Sequence, residues 1–157
     1  MPELFSSNPF DMLPHLVALA AAYLLPLPIG WNREKEERSA GLRTFPLVAV
    51  ASCGFIQAAE SMVGEDPEAM ARIVEGIITG MGFIGGGAIL RLKDSVKGTA
   101  TAASLWATGA MGTAVGLGSY DVALVLPLIT MITLWLLSPL KKEVAAEGSP
   151  DEGDRSG

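Results

Sequence analysis

ARIVEGIITGMGFIGGGAILRLKDSVKGTATAASLWATGAMGTAVGLG, residues 71–118, decides the fold class. Between positions 73 and 90 every residue is apolar or small except Glu75 and Thr79. That run reaches the roughly 18 residues a helix needs to cross a bilayer. It is dense in glycine, at Gly76, Gly80, Gly82, Gly85, Gly86 and Gly87. In a soluble helix each glycine costs about 0.5–1 kcal/mol relative to alanine. In a membrane helix the same residue lets two backbones approach closely. The composition therefore predicts a transmembrane helix packed against neighbours.

Working outward, four more apolar runs appear, at residues 12–31, 42–63, 98–118 and 122–140. Pro26 and Pro28 interrupt the first near its far end, which predicts a kink or an early helix end. The expected fold is an all-α membrane protein, a bundle of about five transmembrane helices over residues 12–140. Residues 1–11 read as a short polar lead, and residues 141–157 as a disordered cytoplasmic tail. The lead carries no basic residue ahead of the first apolar run, so that run reads as a retained span and not as a cleaved signal.

Ten of the eleven Lys and Arg residues fall in three places. Arg33, Lys35, Arg38 and Arg43 follow the first run; Arg91, Lys93 and Lys97 follow the third; Lys141, Lys142 and Arg155 follow the fifth. With five spans, the bias of basic loops toward the cytoplasm puts all three groups inside, the N-terminus outside and the C-terminus inside. Span count and charge bias thus agree. The net charge of −6 argues against nucleic acid as a partner. The single cysteine, Cys53, reads as a small buried hydrophobe.

The glycines suggest packing faces. Gly76 and Gly80, then Gly82 and Gly86, stand four apart on the third span, with Gly85 beside them; Gly112 and Gly116 offer a complementary face on the fourth. The segment Gly80-Met81-Gly82-Phe83-Ile84-Gly85 formally matches a dinucleotide fingerprint, but no strand precedes it and it lies in a membrane-length run. Glu75 is an ionisable group inside a span and so a functional candidate. Arg72, three residues earlier, shares its helix face and predicts either an interfacial ion pair or a polar site. Glu60 should lie at the same outer level, and with Glu75 and Asp121 could attract a hard cation such as Mg²⁺. Thr99, Thr101, Ser104 and Thr108 on the fourth span are hydroxyls that either bond across helices or back to their own carbonyls, or line a polar path, and Thr79 on the third is a further polar-site candidate. No nucleophile–base pair or metal-ligand spacing is visible, so an enzyme is not expected.

The charged loop carries the most specific pattern. Gly30-Trp31-Asn32-Arg33-Glu34 followed by Ala40-Gly41-Leu42-Arg43-Thr44 resembles the first signature of the MgtC/SapB family. Arg72 with residues 80–87, GMGFIGGG, resembles the second, and Gly98 with residues 101–106, TAASLW, the third. Phe45, where the family often has His, and Thr99-Ala100, where it usually has Leu-Thr, depart from the pattern. The resemblance implies a bacterial inner-membrane protein of about five spans, linked to magnesium homeostasis. A further departure is expected after the fifth span, where virulence members append a soluble cytoplasmic domain and this chain reads as the membrane domain alone. Two functions follow as expectations. One is a non-enzymatic protein that modulates a membrane partner. The other is a permease for Mg²⁺ or another small ion through Glu75, Glu60 and the fourth-span hydroxyls. Asn32, Arg33, Glu34, Gly41, Arg43 and Thr44 are expected to bind an internal partner or to brace the inner end of the bundle. Arg43, directly before an apolar span, is placed to meet lipid headgroups or a neighbouring loop. No cofactor is expected beyond Mg²⁺ as a ligand, and homo-oligomerisation through the glycine faces is an open expectation.

Overall fold

The computed structural model describes residues 12–36, 40–92 and 95–147. The expected lead and residues 148–157 of the expected tail lie outside these. The first apolar run is broken where its prolines predict. Helix α1 (Met12–Leu24) stops, and α2 (Leu27–Lys35) restarts with Pro26 at its N-cap. A proline at a helix start forfeits only an amide that would be unbonded there anyway. Helix α3 (Thr44–Val63) ends at Gly64. Asp66 then accepts the N–H groups of Glu68 and Ala69 at 3.0 and 3.2 Å and so caps α4 (Pro67–Gly87).

After α4 the chain forms a two-stranded antiparallel ribbon, β1 (Leu90–Leu92) and β2 (Ser95–Lys97), with Leu90 opposite Lys97. The sequence reads here only as a basic loop, because strands of three residues are too short to show alternation. Gly98, at φ 91°, turns the ribbon into α5 (Thr99–Gly116), and a side chain there would run into the Ala88 carbonyl. Helix α6 (Tyr120–Glu147) passes the expected end of its span, so residues 141–147, expected as tail, are helical.

Among the described residues four helical segments are long and apolar enough to cross a membrane: α1 with α2, then α3, α4 and α6. This fits a multi-pass membrane protein. Where five such spans were expected, α5 is the exception, and its position explains why. It lies at the centre, touching α1, α3, α4 and α6. Ten of its residues are buried, most of them Ala, Gly, Ser or Thr. A helix sheathed by other helices needs small residues for close approach more than it needs apolarity. Large apolar side chains point the other way: Leu16, Val17, Leu128, Ile132 and Trp135 are all exposed, as suits a surface solvated by lipid.

Glycine packing differs from the sequence expectation. Gly112 lies on the Ala49 backbone of α3, and Gly116 on Ile56 and the Cys53 carbonyl; a Cβ at either would overlap them. The face of α5 expected to meet the third span therefore belongs to α3. Helix α4 docks on α5 through Met81, which fills the space over Gly109, and through Gly85, which faces the Ala102 carbonyl. A Cβ on Gly76, Gly80, Gly82 or Gly86 would meet nothing within 4 Å. Those positions lie on other faces of the α4 helix, which at 3.6 residues per turn cannot all share the side that carries Met81 and Gly85.

Candidate functional site

At one end of the bundle gather the end of α2, the start of α3, the end of α4 and the ribbon. Here the charged-loop residues form a lock. Gly30 packs against the backbone of Gly41 and Leu42, closely enough that a Cβ would stand 3.3 Å from the Leu42 Cα. One turn on, the Glu34 carboxylate accepts the Leu42 N–H at 3.1 Å. It lies directly over Gly41, where a methyl would overlap it. Gly41 in turn accepts the N–H groups of Thr44 and Phe45 at 3.0 and 3.2 Å, which starts α3. The loop thus ties α2 to α3 through backbone atoms, and both glycines are there for close approach.

Arg33 is only 3% exposed. Its guanidinium donates from Nη2 and Nε to the Asn32 Oδ1 at 2.6 and 3.2 Å, and Nη2 pairs with Glu36 at 3.2 Å. A buried charge is tolerated only when paired and hydrogen-bonded, and both conditions hold. Lys35 stands 5.3 Å over the Trp31 ring. Arg43 and Thr44 differ from the other motif residues in lining the mouth of a groove between α3 and α4.

That groove has a volume of about 910 Å³. It runs from Arg43 and Thr44 past Leu47, Ala51 and Phe55 to Met62, and along Ile73, Gly76, Gly80 and Ile84 on α4. Its lining is apolar except for Arg43, Thr44 and Ser52. Gly76 and Gly80 thus widen an open groove and pack against nothing.

The ionisable residues of the spans do not converge. Arg72 pairs with Glu68 at 2.9 Å and not with Glu75, because Glu68 is one turn back on the same face, toward the exposed end of α4. Glu75 is exposed about 12 Å along α4 from its start. With Thr79, Gly82 and Gly86 it lines a face of α4 that none of the described residues covers. Glu60 lies elsewhere, on a cavity of about 490 Å³ at the end of the bundle away from the basic loops, with His15, Gln57, Glu65, Asp66 and Tyr120. Neither Glu75 nor Asp121 lines that cavity, so the expected joint cation site does not form. Among the described residues no three His, Cys, Asp or Glu side chains are grouped to hold a metal ion. Asp66 already serves as the α4 cap.

The hydroxyls turn inward on their own helices. Ser104, Thr108 and Thr113 donate to the carbonyls of Ala100, Ser104 and Gly109 at 2.7–2.9 Å, and Thr79 to that of Glu75 at 2.9 Å. Thr101 departs from this pattern: it is 1% exposed and its hydroxyl has no hydrogen-bond partner. The residue four before it, Lys97, lies in β2, so no helical carbonyl is in place to accept.

The Glu34–Leu42 bond and the groove escaped sequence reasoning. No periodicity links a side chain to a backbone amide eight residues on, and a groove is a property of how two helices splay. The only available signal was the pair Gly30 and Gly41 flanking the loop.

Comparison with known proteins places this geometry. The model of the MgtC family matches residues 19–143. Protein MgtC of Salmonella typhimurium is 35% identical over 144 residues, 92% of this chain and 61% of that protein. Protein MgtC of Brucella abortus is 37% identical over 129 residues, 82% and 53% of the two chains. Protein SrpB of Synechococcus elongatus is 35% identical over 128 residues, 74% and 70%. The chain therefore spans about three fifths of the Salmonella relative and about half of the Brucella one. No solved structure matches it.

Proposed function

The chain belongs to the MgtC family, and from that premise we propose that it is a non-enzymatic protein of the bacterial inner membrane that supports magnesium-related physiology by associating sideways with a membrane partner. In this reading the basic end faces the cytoplasm, in line with the bias of its loops. The observation that carries it is the uncovered face of α4. Ionisable residues inside spans face the interior of a bundle or a wet cavity and find a partner there. Glu75 does none of these among the described residues. Thr79, Gly82 and Gly86 continue its face with a hydroxyl and two bare backbone positions, the composition at which membrane helices meet. A second chain laid on this face would shield Glu75 from lipid. The separation of Glu75 from Glu60, which lines a cavity that Glu75 does not reach, weighs against the alternative, a small-ion permease.

The test replaces Glu75 with leucine, which removes the polar group without disturbing any packed contact. Stability in detergent should hold or rise, while complementation of growth in low magnesium should be lost. Unimpaired complementation would overturn the proposal. So would Mg²⁺ flux into liposomes containing only the purified protein, if Glu75→Leu abolished it.

A further inference from the structure

We propose that the half of the α3–α4 groove next to Arg43 binds an anionic phospholipid, its phosphate on Arg43 and an acyl chain laid along Leu47, Gly80 and Ile84. This does not rest on the association assigned to the Glu75 face, which lies on another side of α4.

The first support is charge. Of the side chains lining the groove, Arg43 alone is charged, and it stands at one mouth beside the Thr44 hydroxyl. The neighbouring described acids are occupied: Glu34 accepts the Leu42 N–H, and Glu36 pairs with Arg33. Arg43 makes no ion pair among the described residues and its side chain is exposed. The lock that ties α2 to α3 thus leaves one guanidinium over an apolar trough with no acid of its own among the described residues. A phosphate suits that fork.

The second support is depth. From Arg43 to Ala51 the α3 wall runs about 12 Å, close to the ~15 Å of one hydrocarbon leaflet. Over that length the walls are Leu47, Val48, Ala51, Met81 and Ile84, and Gly80 leaves room for a chain. The far half is lined only by apolar side chains and Ser52. The site is therefore amphiphilic in one direction, charged end then apolar end, which is the pattern of a lipid and not of a helix crossing the whole membrane. The basic end is also where the anionic leaflet lies under the charge bias of the loops.

The experiment is native mass spectrometry of the full chain, released from micelles containing dioleoyl phosphatidylglycerol and dioleoyl phosphatidylcholine in equal amounts. Phosphatidylglycerol should be retained over phosphatidylcholine by roughly fivefold, the effect of one basic side chain at an anionic headgroup. Arg43→Gln should bring the ratio near one, and Arg43→Lys should keep most of it. Gly80→Leu, or Ala51→Leu should that variant fold poorly, should fill the trough and lower retention of both lipids. Equal retention by the unaltered protein, or an unchanged preference in Arg43→Gln, would overturn the proposal. So would displacement of the lipid by inorganic phosphate alone. Self-cross-linking of Ala51→Cys in lipid would assign the groove to a second copy of the chain instead.

Discussion

The carboxylate of Glu34 takes the backbone N–H of Leu42 at 3.1 Å and lies in the space that a side chain on residue 41 would need. Glu34 and Gly41 are thus two halves of one contact. The exposed bond itself is worth about 1 kcal/mol, so Glu34→Ala should cost little more than that. Gly41→Ala should cost at least as much, about 1–2 kcal/mol, because its methyl displaces the carboxylate and presses on the Glu34 Cβ, 3.2 Å away. In the double variant the alanine at 41 no longer meets a carboxylate, so its added cost should fall below its cost alone. A double-mutant cycle by thermal unfolding in detergent measures this. Strict additivity would mean the two residues act separately.

Glycines in this chain divide by what stands opposite them. Gly112→Ala pushes a methyl into the backbone of Ala49, which cannot move aside as a flexible side chain can. The expected cost is about 3 kcal/mol or loss of folding. Gly80→Ala meets nothing within 4 Å. It should leave stability unchanged or raise it by up to about 1 kcal/mol through helix propensity. Denaturant titration of the two purified variants separates them. Equal damage would mean that α4 uses its glycines inside the fold.

That contrast marks where sequence reasoning reached and where it stopped. The run lengths and the proline break are local properties, and the helices follow them closely: Pro26 and Pro28 split the first run where α1 gives way to α2. A four-residue glycine spacing says that a face is small. It does not say which neighbour lies on it, and α5, not α4, took the close contacts with α3. Glu75 and Glu60 have similar depths in their spans but point to different sides of the bundle, and depth alone carries no azimuth. The charged-loop motif was recognisable, yet its division into a buried Arg33 and an outward Arg43 depends on a fold that brings Gly41 onto Glu34.

Thr101 is the buried hydroxyl that lacks a partner. Replacing it with valine, nearly the same in shape, removes an unsatisfied polar group and should be neutral or stabilising by about 1 kcal/mol. Thr108→Val removes a hydroxyl bonded to the Ser104 carbonyl at 2.9 Å and should lose about 0.5–1.5 kcal/mol. The two unfolding midpoints should therefore move in opposite directions or only the second should fall. A marked loss of stability in Thr101→Val would show that its hydroxyl finds an acceptor in the membrane-embedded protein.

Arg33 and Arg43 belong to one motif but should answer differently to the same change. Arg33 is 3% exposed and uses its planar fork on two acceptors at once, Asn32 and Glu36. A lysine ammonium at that depth carries its charge into the same buried place without the fork, leaving the Asn32 carbonyl or Glu36 short of a donor. Arg33→Lys should therefore cost about 1–3 kcal/mol. High salt should not restore it, since buried pairs are screened little. Arg43 is exposed at the groove mouth and its side chain makes no bond among the described residues, so Arg43→Lys should unfold at the same temperature as the parent. Melting of both variants in detergent, at low and high salt, decides the matter. If Arg33→Lys melts with the parent, the guanidinium of Arg33 is not a structural element of the lock, and its burial must then be explained by a ligand or partner drawn to that end of the bundle.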